Sequence, residues 1–174
     1  MSGSLIKIDE EIVTSAVASV TLGGANWDSS YDVYMFVTNN VHSSNDGVNP
    51  FLRFTVSGTE DSSANYDWAF KNVRADTTFG NESATNNNEI LLDVVGNDTG
   101  EAFNCVIYLF NFNNASEYSF MTLEGVNMNG TPVSKGRQGG GVLTVAQATN
   151  GVKLFMSSGN IESGRFVLYG LKKW

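Results

Sequence analysis

The chain has 174 residues, of which 41% are hydrophobic, enough for one domain with a buried core. A formal net charge of −8 argues against nucleic acid as the main partner, because neutralising phosphate takes clustered Lys and Arg. No apolar run approaches the roughly 20 residues that cross a bilayer, so no membrane partner is expected.

The opening stretch "MSGSLIKIDEE" lacks the apolar core of a signal peptide, and the expectation is a soluble chain outside the usual secretory route. Residues 1–10 read as an N-terminal arm and residues 11–174 as one domain. Leu5, Ile6 and Ile8 of that arm are placed to add to a neighbour's sheet or fill a groove. The competing reading is a frayed terminus carrying one edge strand. "SAVASVTL" follows as a strand, and "GGANWDSS" as a loop that holds Trp27 in a polar setting. In "YDVYMFVTN" the period is two: Tyr31, Val33, Met35 and Val37 share one face, Tyr34 and Phe36 the other. "NNVHSSNDG" reads as a loop. "FLRFTVSG" and "YDWAFKNV" alternate again, the second grouping Tyr66, Trp68 and Phe70. "TTFGNESATNNNE" reads as a long asparagine-rich loop and "EILLDVVG" as a short strand.

"FNCVIYLFNF" is apolar on both faces and therefore reads as a central strand. "YSFMTLEGV" leads to a turn at Asn129-Gly130, where both residues tolerate positive φ. "SKGRQGGGV" reads as a flexible or tightly turned loop in which glycine lets the backbone approach a neighbour. "VLTVA", "VKLFMSS" and "RFVLYGL" complete the chain as strands. Short strands separated by turn signals predict an all-β fold: a single antiparallel β-sandwich, jelly-roll-like, of about 8–10 strands with little helix.

Chemistry is sparse. One cysteine cannot form an internal disulfide, and Cys105 sits among alternating apolar residues as a structural thiol. His42 is the only histidine and reads as a loop residue, so neither a Ser-His-Asp arrangement nor a zinc site is supported. "GRQGGG" lacks the Lys-Ser/Thr and the helix of a phosphate loop. Asp67, Asp93 and Glu124 stand on strands, where isolated outward acids are the expectation rather than a glycosidase pair. The acid-bearing loops at Asp46, Asp61 and Asp98 do not match EF-hand spacing. No catalytic residue, metal or cofactor is assigned. Trp27, Tyr31, Tyr66 and Trp68 are candidate saccharide-stacking residues, Trp27 and Tyr31 foremost, while Tyr66, Trp68 and Phe70 also read as core.

Taken together, "YDVYMFVTNNV", "TVSGTEDSSANYDWAFKNVRADTTF", "IYLFNFNNASEYSFMTLEG" and the ending "GRQGGGVLTVAQATNGVKLFMSSGNIESGRFVLYGLKKW" resemble small virion structural proteins of tailed bacteriophages, especially marine ones. The most specific piece is the closing pattern S-G-N-I-x-S-G-x-F-x-L-Y-G. The resemblance implies a β-sandwich module, a home in the virion, and other virion proteins as partners: the major capsid protein or tail proteins. A compact domain with neither heptads nor repeats fits a capsid decoration, or cement, protein better than a fibre shaft. The other reading is a tail-associated, tail-fibre or receptor-binding module that recognises glycan. Assembly through symmetry implies a homo-oligomer, with a trimer as the first guess. The expected contacts are Leu5, Ile6 and Ile8, Arg137 of the glycine loop, and the tail Lys172, Lys173 and Trp174.

Overall fold

The computed structural model describes residues 4–76, 79–128 and 133–172. Through them run the strands β1 (Leu5–Val13), β2 (Ser19–Gly23), β3 (Val33–Ser43), β4 (Pro50–Val56), β5 (Thr59–Glu60), β6 (Tyr66–Arg74), β7 (Phe79–Asn87), β8 (Ile90–Leu91), β9 (Phe103–Phe110), β10 (Ser119–Met128), β11 (Ser134–Leu143), β12 (Thr149–Met156) and β13 (Ile161–Leu171). Helix is confined to one short turn at Gly24–Asn26 among the described residues. An 8-stranded sheet has the order β1-β13-β3-β9-β10-β11-β6-β7. It packs on a 5-stranded sheet of order β2-β12-β4-β5, to which β8 adds beside β4. All pairings are antiparallel.

The connectivity follows from three ribbons that change sheet. In one sheet β13 lies between β1 and β3; in the other β12 lies between β2 and β4. So β1–β2, β3–β4 and β12–β13 each begin in one sheet and end in the other. This is how a jelly roll wraps, and the all-β sandwich expected from the alternation is the fold observed.

The strands outnumber the expected 8–10 for identifiable reasons. β5 and β8 are two residues long. β7 and β11 were expected as loops, because asparagine and glycine are turn-formers in isolation. Each is instead held by a ladder: β11 pairs with β10 from Ser134 to Leu143, and β7 pairs with β6. The arm expected over residues 1–10 is an edge strand from Leu5 onward, paired to β13 from Leu5↔Leu171 to Val13↔Gly164. His42 likewise lies on β3, not in a loop.

The core fills the space between the sheets. Tyr34 and Phe36 of β3, Ile107 and Leu109 of β9, and Leu123 of β10 meet Leu52, Phe54 and Leu154 from the smaller sheet, and all are buried. Each such side chain contributes about 1.5–3 kcal/mol on leaving water. Tyr66, Trp68 and Phe70 are buried on one face of β6, so they are core residues and not a saccharide platform. The Tyr66 hydroxyl donates to the Asp61 carbonyl at 2.9 Å and accepts the Phe54 N–H at 3.0 Å, which satisfies it inside the core. Cys105 is buried beside Thr38, and burial pushes its thiol up to about 12, as befits a structural residue.

Candidate functional site

The two outer faces of the sandwich are unlike. The smaller sheet shows water a closed ionic network. Arg53 pairs with Glu60 at 2.8 Å and Glu89 at 2.9 Å, and Lys153 pairs with Glu60 at 2.6 Å. The Arg53 guanidinium also lies 4.7 Å from the Phe155 ring centroid. Such a face is well solvated and has little apolar surface to bury.

The larger sheet shows water a largely apolar face, with an ionic cluster of Lys7, Glu10 and Arg165 at its β1–β13 edge. Strand register lines its outward residues into rows. One row runs Leu5, Leu171, Val33, Phe110, Phe120, Val142 across six strands. The next runs Lys7, Tyr169, Met35, Tyr108, Thr122, Gly140. A third holds Val167, Val37 and Val106, of which Val167 is only 4% exposed beside Glu10. An antiparallel sheet with one wet face normally alternates apolar with polar. Here β3, β9 and β13 are apolar on both faces, and the second sheet covers only one. Leu5, Tyr108, Phe120 and Val126 are exposed at 39–51%. A contiguous patch of this kind on a rigid scaffold is the mark of an interaction surface.

Arg137, expected at the surface as a partner contact, is instead buried on the inner face of β11, with a relative exposure of 2%. The reason is strand periodicity: once Ser134–Leu143 is a strand, Lys135 and Arg137 both point inward with Gly139 and Gly141. Lys135 pairs with Asp93 at 2.7 Å, and Arg137 pairs with Glu82 at 2.8 Å. The Arg137 guanidinium also lies over the Phe70 ring at 4.5 Å. Burial drives the Asp93 carboxyl up, against the opposing pull of Lys135. Burial pushes Glu82 up too, but Arg137, Lys135 and the Asn72 amide outweigh it and leave its carboxyl below the ordinary value of 4.5.

Glu82 has a pH signature. A lowered folded-state pKa contributes stability that is complete above the unfolded value and lost as pH falls through the folded one. Glu82→Gln is therefore expected to destabilise the fold near neutral pH and to converge on the parent as pH falls through the lowered folded-state pKa of Glu82. Urea midpoints taken across that range check it; a constant difference at every pH would remove Glu82 from the acid response.

Other expected contacts fall in different places. Ile6, Tyr31 and Lys172 come together with Ser30 around a shallow hollow of about 370 Å³ at the β1–β13 edge. Ile8 packs against the core. Lys173 and Trp174 lie outside the described residues, as does the turn at Asn129-Gly130. Trp27 is no exposed platform: its ring packs tilted against Tyr34 at 4.0 Å and stacks on Phe112 at 5.5 Å, and its indole N–H donates to Asn113. Asp67 accepts the Asn86 N–H at 2.8 Å, Asp93 is buried inside, and Glu124 is outside, so the three acids form no pair. Among the described residues no three His, Cys, Asp or Glu side chains gather to hold a metal ion. The outer face itself was signalled by the both-sided apolarity of "FNCVIYLF", which marked the strand's place but not what covers it. Compared with known proteins, no family model matches the chain, and no curated protein or solved structure matches it.

Proposed function

We propose that this chain is a structural protein of a tailed-phage particle, a capsid decoration component that docks non-covalently on the outer capsid surface. The observation that carries the reading is the apolar outer face of the 8-stranded sheet, whose rows through Val33, Met35 and Val37 no second layer covers among the described residues. The resemblance to small virion proteins names the particle. The charged face of the smaller sheet then points away from the capsid, where its ionic network keeps it solvated.

The mechanism is mechanical. Each copy buries part of an apolar sheet against the major capsid protein, and many weak contacts multiply through the symmetry of the shell. The β1–β13–β3 part of the face is the docking half, with Leu5, Tyr169 and Met35 in its rows. Because Trp27 is occupied by Tyr34, Phe112 and Asn113, no observation favours the glycan-binding alternative.

Met35→Lys tests the reading. Met35 lies outward between Tyr169 and Tyr108, so a charge there opposes docking without entering the core. Occupancy on purified particles is expected to fall about tenfold or more, with Tm within about 5 °C of the parent. Parental occupancy would reject this face as the dock. The point change is cleaner than deleting residues 1–8, which also strips pairs from β1.

A further inference from the structure

The β9-to-β7 half of the same outer face is built in two unlike parts that complement each other across β11. The geometry points to a second copy of this chain as its occupant, stacked face to face about a two-fold axis along β11. This rests on the reading of the outer face as a docking surface, and names what covers the half that the capsid does not.

Register carries the argument. Outward on β11 are Gly136, Gln138 and Gly140. Their neighbours on β10 are Val126, Glu124 and Thr122; on β6 they are Val73, Lys71 and Ala69. A two-fold axis along β11 lays β10 of one copy over β6 of the other and keeps each row level with itself. Glu124 then faces Lys71. Both are exposed, and among the described residues neither has an ion pair within the chain. Val126, 51% exposed, faces Val73, 46% exposed. Thr122 faces Ala69, and one strand further out Tyr108 faces Ser83.

Size matches as charge does. Toward the Gly140 end the bulky Tyr108 and Phe120 stand on β9 and β10 and the small Ala69 and Ser83 on β6 and β7; at the Gly136 end the order reverses, and Phe79 of β7, 70% exposed, faces Asn104 of β9. A trench of about 450 Å³, floored by Ala69, Ser83, Thr85 and Gly140, lies along the small side, and its lining is mainly apolar. Phe120, 42% exposed, stands on its rim and comes down over the same trench in the other copy. On the axis β11 meets itself, where Gly136 and Gly140 carry nothing to collide. Gln138 meets Gln138 there, and a primary amide both donates and accepts.

The expected twist between stacked sheets, about 30°, displaces β10 against β6 by roughly 3 Å, within the reach of Glu and Lys side chains. Five strands at about 4.8 Å by about 25 Å of length give about 600 Å² per copy. The pair buries about 1,200 Å², the lower end of specific interfaces, which fits a reversible dimer. Chains of net charge −8 repel, and about 0.15 M salt screens them over about 8 Å.

Sedimentation equilibrium on the full chain at that salt tests the inference. The parent is expected to be a reversible dimer. Glu124→Lys or Lys71→Glu alone sets like charges face to face twice per dimer and raises Kd about tenfold. The double variant restores opposite pairs, and its Kd returns to within about threefold of the parent. A monomeric parent, or a double variant no tighter than the singles, overturns the inference. Met35 lies on β3, outside the paired strands, so Met35→Lys leaves the dimer intact. A monomeric parent with Met35-sensitive particle occupancy rejects the dimer alone. A charge-swappable dimer with Met35-insensitive occupancy rejects the capsid dock alone.

Discussion

Asp93→Ala is expected to lower the unfolding free energy by roughly 3–5 kcal/mol, the range for breaking a buried ion pair from one side. Its side chain is fully buried, and its partner Lys135 is 7% exposed. Removal leaves the ammonium in the protein interior with Glu82, at 3.9 Å, as its one acidic neighbour among the described residues. The reverse change behaves differently. Lys135→Met leaves Asp93 unpaired, but burial already pushes that carboxyl up, so it takes a proton readily. The cost of Lys135→Met therefore shrinks as pH falls, because a neutral carboxyl needs no counter-ion. The double variant Asp93→Leu/Lys135→Met regains most of the loss, since an apolar pair often replaces a buried ionic one without cost. Urea titrations with unchanged m-values are the measurement. A loss below about 1 kcal/mol in Asp93→Ala would mean that water reaches the pair.

This pair also shows how far the sequence carried. Alternation located the core strands well: the faces assigned to Tyr34 and Phe36, and to Tyr66, Trp68 and Phe70, are the buried ones. That information is local, because side chains alternate within a strand whatever lies beyond it. What failed was composition-based reading of β7 and β11. Asn, Ser and Gly say "turn" when isolated, yet here partner strands impose the ladder. Once β11 was missed, the spacing of Lys135 and Arg137 lost its meaning, although residues two apart on a strand share a face. Their partners Asp93 and Glu82 are distant in sequence, and no local pattern announces them. The outer face failed in a different way. Apolarity on both sides of β9 marks a central strand, but whether the second face is covered by this chain or by another molecule is a property of the assembly.

Gly139→Ala is the sharpest test of β11 as a strand, with an expected loss of roughly 2–4 kcal/mol. A Cβ added at Gly139 would lie 2.2 Å from the Ala69 carbonyl oxygen and 2.8 Å from the Phe70 Cα. Both obstacles are backbone, so neither yields without opening the β11–β6 ladder, where Gly139 pairs with Phe70. Gly136→Ala is the control on the same strand. Its added Cβ would meet the Cγ2 of Val73 at 2.8 Å, the end of an exposed side chain that rotates away. Its effect is expected within about 0.5 kcal/mol. A flexible loop would tolerate both changes alike, and would gain a little from the lower entropy of its unfolded chain. A large loss at Gly139 beside a small one at Gly136 separates the two structures. It bears on function too, because the ladder that Gly139 permits holds Gln138 and Lys71 side by side on the outer face. Parting β11 from β6 breaks the row on which pairing with a second copy depends, so Gly139→Ala should weaken dimerisation although Gly139 itself faces inward.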